Sequence, residues 1–168
     1  MAVKSLLSRP LDLLFVIFFV THIPITLFVD SQAVLPSSWY PSLAKELNTW
    51  YLTEYNDPLM GEMPPWFKAL VWNEVFIQLP FFFVGAYAFA AGKAWIRKPA
   101  IVYGLTTATT LVPILGEFIL SPKTDFARWT LVAFYIPYLI VPLMIGIKML
   151  FVEQPFARSM PVPRKKKF

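Results

Sequence analysis

Trp66-Phe67-Lys68-Ala69-Leu70-Val71-Trp72-Asn73-Glu74-Val75-Phe76-Ile77-Gln78-Leu79-Pro80-Phe81-Phe82-Phe83 is an apolar run with an acid at its centre. Read on to about Ala91, it is long enough to cross a bilayer. An ionisable side chain inside such a span costs several kcal/mol, about 2.5–3.5 on insertion scales, and persists where it faces a cavity, a partner or a ligand. A second run, Leu11 to Val29, ends on Asp30 and holds His22, the single histidine of the chain. At 1.5 Å per residue it covers about 28 Å, close to the hydrocarbon thickness. It is longer than the apolar stretch of a cleaved signal peptide and carries Pro24, so it reads as a retained helix. Runs at about 99–120 and 126–151 complete a set of four. The expected fold is all-α and integral to the membrane: a bundle of four transmembrane helices with a polar site inside.

Composition agrees. Apolar residues make up 57% of the 168-residue chain and charged residues only 15%, a balance that soluble domains rarely show. The net charge of +5 does not point to nucleic acid. Arg164-Lys165-Lys166-Lys167 crowd into one tail and most other basic residues flank the apolar runs, which suits membrane topology and anionic headgroups. With no cysteine and one histidine, disulfides, a thiolate nucleophile and a multi-histidine metal site are excluded. No cofactor is expected. The chain divides into a short segment 1–10, a membrane domain 11–152, and a tail 153–168 that is expected to be disordered.

The loop 30–65 is too polar to span. Pro41 can open a short helix, because proline suits the first helical turn. Leu43, Leu47, Trp50 and Tyr51 then share a face, as in an interfacial amphipathic helix or a cap over the bundle. Asn56-Asp57-Pro58 reads as a turn and Met63-Pro64-Pro65 as a stiff lead into the second span. With four spans, the N-terminus, the 92–98 link and the tail lie on one side. They hold Lys4, Arg9, Lys93, Arg97, Lys98, Arg158, Arg164, Lys165, Lys166 and Lys167. The opposite loops hold Lys45, Lys68, Lys123 and Arg128. This asymmetry predicts cytosolic termini and a lumenal or exterior first loop. The terminal Lys165-Lys166-Lys167-Phe168 resembles a dilysine retrieval signal of endoplasmic-reticulum membrane proteins, with Lys165 and Lys166 as the residues read.

Each span contains proline: Pro24, Pro80, Pro113, and Pro137 with Pro142. Proline removes a backbone hydrogen bond and kinks a helix, and splayed helices can enclose a cavity. His22 with Thr26, Thr26 with Asp30, and Glu74 with Gln78 are each four apart and share faces. The topology places Asp30 and Glu74 near one depth, with Asp57 able to join them from the loop. Two carboxyls close together in low dielectric cannot both carry full charge. Glu74 is therefore expected to donate a hydrogen bond to ionised Asp30. One net negative charge within aromatic walls, drawn from the second and fourth spans and especially Tyr135 and Tyr138, suits an amphipathic cation. The candidate ligand-binding set is Asp30, Glu74, Asp57, Gln78, His22, Thr110, Tyr135 and Tyr138. Asp12 and Glu117 lie near span ends, within reach of the interface, and read as structural. An acid and a base in a dry pocket could move a proton and shift a double bond. No nucleophile motif, phosphate loop or metal spacing supports catalysis.

Longer stretches carry a resemblance. Thr21-His22-Ile23-Pro24-Ile25-Thr26-Leu27-Phe28-Val29-Asp30-Ser31-Gln32-Ala33-Val34-Leu35-Pro36 resembles the first-helix signature of the sigma-2 receptor family, also called the transmembrane protein 97 family. Asn56-Asp57-Pro58-Leu59 with Pro65-Trp66-Phe67-Lys68 is similar to its first loop, and Glu74-Val75-Phe76-Ile77-Gln78-Leu79-Pro80-Phe81-Phe82 to its second span. Trp95-Ile96-Arg97-Lys98-Pro99-Ala100-Ile101 and Thr109-Thr110-Leu111-Val112-Pro113-Ile114-Leu115 are similar to its third span, and Tyr135-Ile136-Pro137-Tyr138-Leu139-Ile140-Val141-Pro142 to its fourth. The resemblance implies the EXPERA fold, shared with the emopamil-binding sterol isomerase. It implies a homodimeric, non-enzymatic receptor of the endoplasmic reticulum that binds sterols, oxysterols and cationic amphiphiles. There the ligand amine meets the aspartate matching Asp30, supported by the glutamate matching Glu74, and the aspartate matching Asp57 matters for binding. The family is linked to cholesterol handling and to a sterol-transport membrane protein, the Niemann–Pick type C transporter. Fungal relatives are linked to handling of mitochondrial precursor proteins. A sterol Δ8–Δ7 isomerase and a membrane factor for such precursors are the alternatives.

Overall fold

A computed structural model describes residues 3–156. Helix α1 (Pro10–Phe28) starts on a proline, whose missing N–H is harmless in a first turn, and runs on through Pro24. A single 3₁₀ turn, Asp30–Ala33, extends it. The loop folds into α2 (Ser42–Tyr55) and the short α3 (Pro58–Glu62). The second span is composite: α4 (Pro65–Asn73), a π-helical turn (Glu74–Gln78) and α5 (Leu79–Ala90). Helices α6 (Arg97–Leu120) and α7 (Arg128–Phe151) follow, each continuous through its prolines. Four helical segments, Pro10–Ala33, Pro65–Ala90, Ala94–Leu120 and Arg128–Phe151, are long and apolar enough to cross a membrane. Their outward side chains, among them Ile17, Val20, Phe76, Ile77, Val102 and Val112, are exposed hydrophobics, as lipid-facing positions should be. The protein is a multi-pass membrane protein.

The spans associate as two pairs, α1 along α5 and α6 along α7. The α6–α7 crossing depends on paired glycines. A Cβ on Gly104 would lie 2.4 Å from the Pro142 carbonyl oxygen and 2.5 Å from the Gly146 nitrogen. Small residues at such crossings let backbones approach where lipid offers no hydrophobic drive to associate.

Span ends leave carbonyls without intrahelical partners, and three arginines satisfy them. Arg9 donates to the Phe89 and Ala90 oxygens (3.1 and 2.8 Å), capping α5. Arg97 donates to the Leu150 and Val152 oxygens (3.0 and 3.1 Å), capping α7. At the opposite end Arg128 donates to the Ile119 and Ser121 oxygens (both 2.7 Å), capping α6. A guanidinium at a helix C-terminus also complements its dipole. Arg9 and Arg97, counted from sequence as topology charges, thus have a second role as caps.

Asp12 does not reach the interface. It is buried and paired both with Arg9 (2.9 Å) and with Lys148, which projects from inside the fourth span. An ammonium at that depth requires a counter-ion, and Asp12 supplies it. The start of the tail also departs from expectation. Phe156 is buried against Phe89 and sits beneath the Arg9 guanidinium. The remainder of the tail, including Lys165 and Lys166, lies outside the described residues.

Two apolar clusters fill the bundle. One, with Phe15, Phe19, Phe82, Phe89, Ile145 and Met149, lies at the end bearing the first and last described residues. The other, with Leu59, Phe67, Leu115, Phe118 and Leu131, lies at the end bearing α2 and α3. Tyr138 packs against both.

Gly104→Ala should force α6 and α7 apart and cost about 2 kcal/mol. Gly116, where an added Cβ meets nothing within 4 Å, is the control. Gly116→Ala should be neutral or stabilise by up to about 1 kcal/mol. Thermal unfolding of the detergent-purified variants should give a lowered Tm for the first and none for the second.

Candidate functional site

The polar site is assembled where α1 meets the composite second span. Pro80 lacks an N–H and would crowd the carbonyl four residues before it. The chain answers with one widened turn rather than a simple kink: the Leu79 N–H bonds to the Glu74 oxygen, five residues back. Such π turns recur at functional sites. Here the turn holds both Glu74 and Gln78 on the inner wall.

From α1, Thr26 donates to Glu74 Oε1 at 2.5 Å. His22 Nε2 lies 3.4 Å from the same oxygen. The His22 ring stacks on Phe82 (centroids 4.6 Å, interplanar 20°) and leans on Tyr138 (4.6 Å). Asp30 completes the cluster: His22, Asp30 and Glu74 each present a donor or acceptor atom within 4.8 Å of the others. The carboxyls face each other without closing a hydrogen bond of good geometry. Glu74 also takes a donor from α1, the Thr26 hydroxyl, which sequence reasoning did not anticipate. One imidazole and two carboxylates fall one short of a four-ligand structural zinc site. Moreover, His22 Nδ1 has no partner among the described residues, whereas a metal-bound imidazole is normally oriented by one.

These groups open onto a chamber of about 530 Å³. That lies within the range of roughly 300–1,000 Å³ typical of small-molecule sites. Ile25, Val29, Leu70, Val71, Leu111 and Ile114 form apolar walls, and Phe134, Tyr135 and Tyr138 an aromatic side. Trp50, Tyr51 and Tyr55 of α2 close the top, with Met60 and Phe67 beside them. Ala133, Phe134 and Pro137 line the chamber and are also exposed on the outside of α7, so the chamber meets the lipid face along that helix.

Of the residues named from sequence, Asp30, Glu74, Gln78, His22, Thr110, Tyr135 and Tyr138 line the chamber. Asp57 does not join the two acids. It is buried as the N-cap of α3, accepting from the Leu59 and Met60 N–H groups (2.8 and 3.2 Å). It also accepts from the Tyr51 hydroxyl (2.7 Å), with the Tyr135 hydroxyl at 3.5 Å. Its part is to fix two tyrosines of the chamber wall from behind. Burial pushes its carboxyl above the usual range, against the opposing pull of Tyr51 and the two N–H groups. Burial, then the Asp57 charge, pushes the Tyr51 hydroxyl up as well.

Sequence reasoning missed several lining residues. Phenylalanines of the second span contribute only Phe67 to the lining; Phe82 packs under His22 and Phe83 faces lipid. The missing walls come from α2, whose Leu43 and Leu47 point outward while Tyr51 and Tyr55 turn in and the exposed Trp50 lines the chamber's edge. Thr107 was also missed, although Tyr103, Thr107 and Leu111 repeat at helical spacing.

The fold and site define a class: a four-span membrane bundle with an internal acid-bearing chamber. The signature of EXPERA (EXPanded EBP superfamily) matches residues 43–149. The chain is 48% identical over 154 residues to sigma intracellular receptor 2 of Xenopus tropicalis, covering 86% of this chain and 90% of that one. It is 44% identical to the Homo sapiens protein of that name over 155 residues, 84% of this chain and 88% of the other. Efficient mitochondria targeting-associated protein 19 of Schizosaccharomyces pombe is 31% identical over 144 residues, 83% of this chain and 74% of the other. The chain belongs to the EXPERA family, in the branch that holds sigma intracellular receptor 2.

The raised Asp57 value fixes the sign of a pH effect. The folded state holds this proton to higher pH than the unfolded chain, so the group's contribution to stability is greatest below the ordinary carboxylate range. It is lost as pH rises through the folded-state value. Asp57→Asn retains an acceptor but does not titrate. Wild-type stability relative to Asp57→Asn should therefore fall with rising pH in that window, by up to about 1.4 kcal/mol per unit. Denaturation measured across the acid range checks this; a flat difference would contradict it.

Proposed function

We propose that this protein is a receptor of the endoplasmic-reticulum membrane that binds cationic amphiphiles, sterols and oxysterols in its chamber and serves sterol homeostasis or trafficking. The observation that carries the reading is the convergence of Asp30, Glu74 and His22 within 4.8 Å on the wall of an apolar, aromatic chamber. An ammonium group entering from lipid loses its hydration. The Asp30 carboxylate, paired with the arriving ammonium, offsets that loss, and tyrosine and tryptophan faces add cation–π attraction. Glu74, held by Thr26 and His22, positions the pair. The apolar body of the ligand replaces lipid contacts along the walls, and Gln78, Thr110, Tyr135 and Tyr138 orient it. Asp57 acts through Tyr51 and Tyr135. The name of the Xenopus and human relatives supports the word receptor. The lysine pattern of the tail supports the compartment and the cytosolic termini. In this reading the protein works as a homodimer alongside a sterol-transport membrane protein and catalyses no reaction.

The name of the Schizosaccharomyces pombe relative favours a second reading. There the protein is a membrane factor assisting mitochondrial precursor proteins, and the chamber is secondary. A third keeps the chamber but gives Glu74 and His22 a proton-transfer task in a sterol Δ8–Δ7 isomerase, consistent with the EXPERA signature.

Binding of a tertiary-amine amphiphile to purified protein tests the assignment. Asp30→Asn should weaken it by about 100-fold or more, since removing one partner of a desolvated ion pair costs several kcal/mol. Glu74→Gln should cost less, about tenfold, because the amide can keep the Thr26 hydrogen bond. Unchanged affinity in Asp30→Asn would refute the receptor assignment. Glu74-dependent turnover of a Δ8 sterol would move it to isomerase.

A further inference from the structure

The inner end of the chamber holds polar atoms that the acids do not use. Helix α1 runs towards the α2–α3 end, so His22 lies two turns deeper than Asp30. Gln78 lies one turn deeper than Glu74, and Thr107 one turn deeper than Leu111. All of these line the chamber. Below them the phenylalanine-rich cluster closes the floor, with Phe82 packed against both His22 (4.6 Å) and Tyr103 (6.0 Å).

Four threonines cluster on α6. Three return their hydroxyls to the helix: Thr106 to the Val102 oxygen, Thr109 to the Leu105 oxygen and Thr110 to the Thr107 oxygen, at 2.7–2.8 Å. Thr107 is the exception. Its hydroxyl has no hydrogen-bond partner among the described residues, although the residue is 2% exposed. The Tyr103 hydroxyl lies beside it without completing a bond of good geometry. His22 Nδ1 is likewise buried and unpartnered, while its Nε2 faces Glu74. Buried polar atoms are nearly always paired, so unpaired atoms on two chamber-lining residues, His22 and Thr107, with the Tyr103 hydroxyl beside Thr107, mark a place where a partner is received.

The chemistry of these atoms selects the partner. In a neutral imidazole with its Nε2 hydrogen turned to the Glu74 carboxyl, Nδ1 of His22 is an acceptor. The two hydroxyls can both donate and accept. An ammonium cannot accept, and a ketone cannot donate. An alcohol oxygen does both from one atom. We propose that Thr107, Tyr103 and His22 form a second subsite at the chamber floor, which takes the hydroxyl group of an uncharged lipid alcohol. The inference rests on the chamber being a ligand site, as argued above, but not on the amine contact at Asp30. It gives the chamber two subsites, an acidic one for cations and a neutral one for alcohols, within a single apolar volume.

The test uses the full-length protein in detergent and three tritiated probes: cholesterol, the corresponding sterol hydrocarbon without its hydroxyl, and a tertiary-amine amphiphile. Wild type should bind cholesterol saturably and more tightly than the hydrocarbon. Thr107→Val should weaken cholesterol by about tenfold while shifting the hydrocarbon and the amine by less than about twofold, because a site built for a hydroxyl discriminates through that group. Thr107→Ser should restore the wild-type preference. Should Thr107→Val fail to fold, Tyr103→Phe is read by the same probes and should narrow the preference in the same direction. The proposal is overturned if wild type shows no preference for the alcohol over the hydrocarbon. It is equally overturned if the folded variants weaken both sterols alike, or neither. Failure of the cation reading appears separately, as an amine affinity indifferent to Asp30→Asn, and leaves the cholesterol comparison intact.

Discussion

The Thr26 hydroxyl donating to Glu74 across two helices is the contact around which the bundle is organised. A glutamate in the middle of a span is costly unless something inside the protein receives it. Thr26 and His22, one turn apart on α1, do so from one face of one helix. Their register holds α1 against the second span at that depth, and the π turn that begins at Glu74 brings Gln78 onto the same wall. Asp30 then follows because it is the next position on that face, one turn beyond Thr26. The acid pair is thus a consequence of how two helices are locked together, and the chamber is the space the lock leaves open towards α6 and α7.

That space survives because packing is concentrated elsewhere. Two helix pairs form, one sealed by the edge-on and tilted rings of Phe15, Phe19 and Phe89, the other by the Gly104–Gly146 crossing. Arginine caps and the Arg9–Asp12–Lys148 cluster tie the span ends together. The span ends are held firmly while the interior between the two cores stays unfilled. Asp57 contributes at a distance: as a cap it fixes α3, and through Tyr51 and Tyr135 it fixes part of the chamber wall.

Much of this is legible in the residues. Four apolar runs give four spans, because length and hydropathy are set by the bilayer and need no tertiary information. Helical spacing puts His22, Thr26 and Asp30 on one face, and Glu74 and Gln78 on another. Three features were not legible. The partner of Glu74 depends on helix rotation, which brings the Thr26 hydroxyl onto its Oε1 in addition to the Asp30 carboxyl facing it. Asp57 looked like a third acid of the site, but Pro58 behind it makes it a cap, and a carboxyl with three good donors has little left for a ligand. The half-buried Lys148 was hidden because a single lysine near a run's end reads as snorkelling; only the fold brings Asp12 to it.

The central claim is that an acid pair in a water-poor chamber receives the charged end of a membrane-soluble guest. Crystals grown with a brominated tertiary-amine amphiphile test it most directly, through the anomalous signal of the bromine and the position of the amine. The account places the bromine between the apolar walls of the second span, α6 and α7, with the amine nitrogen in hydrogen-bonding contact with Asp30. A bromine on the outer, lipid-facing surface, with the interior filled by side chains, would contradict it.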